Sequence, residues 1–293
     1  MTPCPPTFDL LDPVLISIGP IPIRWYALAY IAGLFLGLWY VIQLVKRPGL
    51  WTTNAKTTAA PLPRAFLDDL LLWVMVGVIG GGRLGYVLFY QTSAIWERPL
   101  WVVTGITEGG MSFHGGLIGV ALAMYFTSRA HGAPVLRTAD AVAAAVPIGL
   151  LFGRLANFIN GELWGRPAPE LPWAMRFEND PTCQLRHPSQ LYEAGLEGLL
   201  LFAIIAFVIW RFRGLARPGL VTGVFLAGYG LFRGLVELVR EPDPQMPEAL
   251  QGYVTMGMLL CIPMILVGAW LIRRALTRPA DADAHKPQAT ETA

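Results

Sequence analysis

Apolar residues in this chain run in long blocks. Seven blocks stand out, at about 24–44, 66–90, 113–129, 139–160, 189–210, 219–240 and 253–273. A helix crossing the hydrocarbon core of a bilayer needs roughly 20 mostly apolar residues. The pattern therefore predicts an all-α polytopic membrane protein with seven transmembrane helices. None of the blocks contains a Lys; the third and fourth are rich in Gly and Ala and polar at their ends. The longest connection, about 161–188, carries five prolines and two tryptophans and reads as a small folded cap. The spans and cap form one domain over 1–278, and the polar, Ala- and Pro-rich stretch 279–293 reads as a disordered tail. No internal repeat is visible.

The polar residues that interrupt these blocks are phased. A charged group inside a span costs at least ~2.5–3.5 kcal/mol on insertion scales, which makes each one a functional candidate. In the fourth block Arg154, Asn157 and Gly161 share one helical face, and Asn160 and Glu162 extend it outward. In the sixth, Tyr229, Arg233, Glu237 and Arg240 form a narrow stripe of alternating charge, so Arg233 can pair with Glu237 and Glu237 with Arg240. Gln190, Glu193 and Glu197 share a face in the fifth. Gly80, Gly81 and Gly82 stand beside Arg83 in the second and permit close backbone approach. His114 opens the third among glycines. Structural readings compete: Arg83 as a donor to helix-end carbonyls, the glutamates as counterions, Asp140 as a plain N-cap, His187 as a turn residue before Pro188, and tryptophans as an interfacial belt.

Composition narrows the class. Of 293 residues, 54% are hydrophobic and 14% charged, against roughly 25% charged in a soluble protein. Mean hydropathy is +0.50. A net charge of +2 provides no field for nucleic acid. Cys4, Cys183 and Cys261 lie far apart without a CxxC, and the four histidines are scattered, which argues against a disulfide framework, a zinc site or any other metal site. No Lys or Arg precedes Arg24, so the N-terminus lacks the basic region of a signal peptide. Thirteen Lys and Arg fall in the loops and tail on one side, among them Lys46, Arg47, Arg137, Arg213 and Arg274. The other side holds five: Arg98, Arg166, Arg176, Arg186 and Arg240. The richer side should be cytoplasmic, with the N-terminus outside and the C-terminus inside.

Two intramembrane arginines on separate helices need an anion or several carboxylates to justify their cost. Arginine binds phosphate bidentately and stays charged in apolar surroundings. The abundant phosphate within a bilayer is a lipid headgroup. The residues alone thus reach an integral membrane protein with an arginine-lined site suited to an anionic lipid. An anion transporter and a non-catalytic lipid-binding subunit remain open at this point; a retinal protein is excluded, since Lys46, Lys56 and Lys286 all lie outside the spans.

The segments IRWYALAYIAG (23–33), GGRLGYVLFY (81–90), FHGGLIG (113–119), GRLANFINGELWGRP (153–167), HPSQLYEAGLEG (187–198) and YGLFRGLVELVREPD (229–243) resemble, in order, the motifs of the bacterial prolipoprotein diacylglyceryl transferases. The likeness covers about 10–273. It implies a seven-span enzyme of the bacterial inner membrane with an outward N-terminus and no cofactor. Its partners would be phosphatidylglycerol, other membrane lipids and the lipobox cysteine of a prolipoprotein signal peptide. The products would be a thioether-linked precursor and glycerol phosphate. The family's functional residues map onto Tyr26, His114, Asp140, Arg154, Asn157, Glu162, Gly165, Glu193, Tyr229, Arg233, Glu237 and Arg240. By that reading Arg154 and Arg233 stabilise the leaving phosphate and His114 takes the thiol proton. The remainder, Asp140 apart, bind substrate.

The charge asymmetry predicts topology directly. A cysteine introduced in the tail should react with an impermeant thiol reagent only after the membrane is permeabilised; labelling in intact spheroplasts reverses the orientation.

Overall fold

The apolar blocks become helices, and small residues decide how the helices pair. The computed structural model describes residues 12–19, 21–53, 61–241 and 255–278; the stretch 279–293, read above as a tail, lies outside them. Two short strands, β1 (Val14–Ile18) and β2 (Ile21–Arg24), pair antiparallel ahead of α1 (Trp25–Val45). This hairpin departs from the all-α expectation, and two Val/Ile-bearing runs around Gly19-Pro20 were its signal. Then come α2 (Arg64–Tyr90), the short α3 (Ala94–Glu97) and α4 (Trp101–Thr104), α5 (Phe113–Ala130) and α6 (Val135–Ile159). After the 161–188 cap, α7 (Ser189–Glu193) continues through a π-helical stretch (Ala194–Leu200) into α8 (Leu201–Phe212). The chain ends in α9 (Leu220–Glu237) and α10 (Met256–Thr277).

Among the described residues six helices are long and apolar enough to cross a membrane: Trp25–Val45, Arg64–Tyr90, Val135–Ile159, Ser189–Phe212, Leu220–Glu237 and Gly257–Thr277. Helix α5 is not among them; three glycines, His114 and Arg129 occupy five of its 18 positions. It packs along α2 through a glycine seam. Gly77, Gly81 and Gly85 face Gly115 and Gly119, and a Cβ added at Gly85 would lie 2.7 Å from the Cα of Gly115. The seam thus uses positions four apart on α2. Gly80, expected beside it, has open space around it. Similar close approach joins α9 to α10, where a Cβ at Gly268 would sit 2.5 Å from the backbone nitrogen of Ala227. Small residues that admit backbones this closely supply the van der Waals contact that drives helix association in lipid.

The main apolar core gathers where α1 ends. Leu44, Trp51, Leu62, Phe66 and Leu67 pack with Ile205, Ile209 and Leu215. Trp51 donates its indole N–H to the Leu44 carbonyl at 2.9 Å. The buried Arg137 donates to the carbonyls of Trp51 at 2.6 Å and Leu215 at 3.4 Å. Beside it, Asp140 is not the N-cap of its own helix, where Pro134 stands. Its carboxylate instead accepts from the backbone N–H of Gly219 (2.7 Å) and Thr222 (2.8 Å) and from the Thr222 hydroxyl (2.7 Å). It satisfies the orphan donors that open α9. Gly219, at φ +91°, supplies the left-handed turn that this approach needs.

Replacing Asp140 with Ala strands three donors in a fully buried place. A buried group left unsatisfied costs about 1–3 kcal/mol, so the thermal unfolding midpoint of purified Asp140→Ala in detergent should fall clearly below that of the parent. An unchanged midpoint refutes this role.

Candidate active site

Three arginines from two helices and a following turn converge on one glutamate. Glu193, fully buried at the end of α7, accepts from Arg233 at 2.7 Å and Arg240 at 3.1 Å through Oε1, and its Oε2 lies 3.2 Å from Nε of Arg154. Arg233 also pairs with Glu237 one turn along α9, at 2.6 Å. Glu197, on the π-helical stretch, lies 3.6 Å from Nη2 of Arg154. The side chains of Arg154, Arg233 and Arg240 keep 17%, 13% and 11% of their surface, against 0–2% for the three glutamates. The arginine side chains thus keep slightly more surface than the carboxylates that pair with them. The Tyr229 hydroxyl adjoins Arg154 and Glu197.

The expected pairing along α9 holds for Arg233 with Glu237 and fails for Arg240. The helix ends at Glu237, two turn residues follow, and Arg240 leaves the helical phase. It pairs with Glu193 in place of Glu237. Its backbone is held by the cap: Gly165 bridges Arg240, Arg166 donates from its backbone N–H to Val239 and from Nε to the Arg240 carbonyl at 2.9 Å. A Cβ at Gly165 would lie 2.5 Å from the Val239 carbonyl oxygen and 2.6 Å from the His187 Cβ. Gly165 thus acts by leaving room for the strand-like contact that sets Arg240.

Asn157, one turn beyond Arg154, donates to Glu162 at 2.7 Å. Gln190 donates to the Glu162 carbonyl at 2.7 Å and Ser189 to that of Leu163 at 3.0 Å. The turn leaving α6 is thereby tied to the start of α7, beside the arginines. On α1, the hydroxyls of Tyr26 and Tyr30 lie 3.2 Å apart. Tyr30 is close enough to Arg154 and Glu162 to interact electrostatically. Tyr30 is the site neighbour that sequence reasoning left out, while Glu197 lies beside Arg154 as the counterion reading expects. The signal for Tyr30 was its four-residue spacing from Tyr26.

His114 is not part of this cluster. It is exposed at the second position of α5, its ring edge-on to Phe113 at 5.7 Å, without an ion pair to the arginines among the described residues. The loop before it is organised by Arg83, 4% exposed, which donates to the carbonyls of Val102 (2.8 Å), Trp101 (2.9 Å), Gly109 (2.8 Å) and Gly110 (3.4 Å). Its guanidinium also lies 4.3 Å from the Trp101 ring. The structural reading of Arg83 is the one realised. Asp140, about 21 Å from Arg154 at 1.5 Å per residue along α6, lies at the other end of the helix.

The cap is built on Arg186, which donates to Asp180 at 2.6 Å, Thr182 at 3.0 Å, Glu241 at 2.9 Å and the Gly165 carbonyl at 3.2 Å. One expectation fails here. Cys183 is disulfide-bonded, while Cys261 is a free, buried thiol and Cys4 lies outside the described residues.

The structure is that of a multi-helix membrane protein with a buried cluster of arginines and glutamates. The model of the family described as Prolipoprotein diacylglyceryl transferase matches residues 13–274. Curated relatives carry the name phosphatidylglycerol–prolipoprotein diacylglyceryl transferase. The Rhizobium meliloti (strain 1021) protein is 48% identical over 275 residues, 94% of this chain and 96% of its own. The Bradyrhizobium diazoefficiens protein is 50% identical over 280 residues, 94% and 96% of the two chains. The Agrobacterium fabrum protein is 48% identical over 268 residues, 92% and 93%. The chain belongs to the prolipoprotein diacylglyceryl transferase family.

The cap should be acid-sensitive. Burial alone would raise the Asp180 carboxyl, but Arg186 and Thr182 outweigh it and hold it at about 2. A carboxyl held below its ordinary value of 3.8 stabilises the fold above that value, and the contribution is lost as pH falls toward about 2. Pepsin cleavage within 161–188 should therefore accelerate between about pH 4 and pH 2 relative to an Asp180→Asn variant, which should be cleaved readily throughout. Equal cleavage of the two at pH 4 contradicts the assignment.

Proposed function

We propose that this chain transfers the diacylglyceryl group of phosphatidylglycerol to the lipobox cysteine thiol of prolipoprotein signal peptides, the first step of lipoprotein maturation. The observation that carries the reading is the cluster of Arg154, Arg233 and Arg240 paired with buried carboxylates. In the reaction the cysteine sulfur bonds to the terminal glyceryl carbon and the carbon–oxygen bond to phosphate breaks. The thiol proton passes to His114, and glycerol phosphate leaves. Negative charge concentrates on the departing oxygen, so Arg154 and Arg233 stabilise the transition state more than the bound diester. Neutral imidazole is the usual base near pH 7, and exposure of His114 leaves it open to a peptide. Tyr26, Asn157, Glu162, Glu193, Tyr229, Glu237 and Arg240 hold the headgroup or the arginines that grip it, and Gly165 fixes Arg240.

We further propose seven crossings, with α5 as the seventh, in the bacterial inner membrane. Helix α5 runs for about 27 Å along the apolar α2. It turns large apolar side chains outward, Leu117, Ile118, Leu122 and Phe126 each at least half exposed; lipid is the solvent that suits them. The N-terminus and cap face outward. The Lys and Arg asymmetry supports this, as does the bonded state of Cys183, since disulfides persist in oxidising compartments.

Purified protein given phosphatidylglycerol and a lipobox peptide should yield a diacylglyceryl adduct on cysteine by mass spectrometry; phosphatidylglycerol binding without an adduct makes it a binding protein. The roles separate by pH. A base has a bypass, because a free thiol with pKa near 8.5 is already ~3% thiolate at pH 7 and more so above it. A leaving-group cation has none. His114→Gln should lose about 10²–10⁴ at neutral pH and recover as pH rises. Arg154→Ala should lose at least ~10²–10³ and stay inactive throughout. Recovery of Arg154→Ala with pH, while His114→Gln stays dead, reverses the assignment.

A further inference from the structure

Counted as ions, the cluster is already neutral before any lipid arrives. Arg154, Arg233 and Arg240 are matched by Glu193, Glu197 and Glu237. A phosphodiester headgroup adds one negative charge to a buried place. Arginine keeps its proton under all conditions met in proteins. The excess must therefore be removed at a carboxylate, or the lipid enters against uncompensated repulsion in a low dielectric.

The three carboxylates are not equally engaged. Glu193 touches all three arginines, and Glu237 holds Arg233 at 2.6 Å. Among the described residues Glu197 has one ion-pair contact, 3.6 Å to Arg154, beyond hydrogen-bond length, and both of its buried oxygens lack a hydrogen-bond donor. Its backbone is unusual as well. It sits in the middle of the π-helical stretch Ala194–Leu200, a form that recurs at functional sites. That stretch closes on α6 at Gly198, where a Cβ would lie 2.8 Å from the Cα of Leu151, one turn before Arg154. A carboxylate without hydrogen-bond donors among the described residues, held near Arg154, is the one that can change state without dismantling the others.

We infer that Glu197 is a charge-compensating positioning residue, which takes up one proton and releases Arg154 as the phosphodiester of an anionic lipid enters. The inference rests on the lipid-phosphate reading given under Proposed function. The proton comes from water and adds to a Glu197 oxygen; no other bond changes. The ionisable groups around Glu197 are Arg154 on α6, Glu193 on its own helix, Tyr229, Arg233 and Glu237 on α9, Arg240 beyond it and Cys261 on α10. The arginines do not titrate, and Glu193 and Glu237 are held by close guanidinium contacts.

Proton uptake on binding can be counted by titration calorimetry. Short-chain phosphatidylglycerol in nonionic detergent micelles is added to the full-length protein in buffers of differing ionisation enthalpy, between about pH 5 and pH 9. The parent should take up close to one proton per lipid at the alkaline end. Its affinity should fall about tenfold per pH unit there, since binding is linked to protonation. Glu197→Gln, neutral and of the same shape, should take up none and should hold its affinity as pH rises. His114→Gln should keep the uptake, which separates Glu197 from the imidazole. Lipid binding by the parent without proton uptake at any pH overturns the inference while leaving the arginine site standing. Uptake retained in Glu197→Gln, or lost in His114→Gln, overturns it equally. Absence of phosphatidylglycerol binding at every pH overturns the lipid-phosphate reading itself and this inference with it. Should Glu197→Gln fail to fold, the proton count of the parent decides.

Discussion

Everything at the site depends on one buried carboxylate. Glu193 is the only group that touches Arg154, Arg233 and Arg240 together among the described residues, and so it joins α6, α9 and the turn beyond α9 to α7. Three guanidiniums brought together in apolar surroundings repel one another and have lost their water. Breaking a buried pair from one side leaves an uncompensated charge worth about 3–5 kcal/mol. Glu193 therefore decides both that the helices meet here and that the arginines stay charged and aimed. The cap is a second tier of the same arrangement. Its hub, Arg186, contacts Gly165 and Glu241, which flank Arg240, so the third arginine is placed from both sides.

Helix pairing separates the chemistry into two bodies. The arginine cluster belongs to α6, α7 and α9. His114 rides on α5, which is bound to α2 by the glycine seam and touches α6 far less extensively. Arg83 then ties the loop ahead of His114 to α2 through four backbone carbonyls. The residue proposed to take a proton and the residues proposed to hold phosphate are therefore set by different packing interfaces. Such a division suits a reaction whose two substrates, a lipid and a peptide, have to meet between them.

Much of this was legible from sequence because helical phase is local information. Arg233 and Glu237, four apart, meet as their spacing requires, and Arg154 and Asn157 lie on one site-facing surface. Glu193 and Glu197 do reach Arg154 together, although the backbone between them passes into a π-helical stretch. Phase failed where the helix stopped. Arg240 lies past the end of α9, so its partner could not be read from an offset. Asp140 and Arg83 were ambiguous for another reason: their partners are backbone groups on distant segments, which carry no residue-type signal. The β1–β2 hairpin lies directly against a strong helical block that hides its short alternating runs.

The neutral cluster also bears on why such a site would favour reaction over binding. Each guanidinium already has a carboxylate behind it, so a monoanionic diester gains only the difference between the new contact and the one it weakens. A site of bare arginines would grip substrate harder, and it would raise affinity without raising turnover, since substrate and transition state would benefit alike. In the proposed transfer the departing oxygen acquires charge that the diester does not have. Guanidiniums already oriented by Glu193 and Glu237 need no reorganisation to meet it. The carboxylates that make three intramembrane arginines tolerable are thus the same groups that hold ground-state binding down and leave the arginines' pull for the bond that breaks.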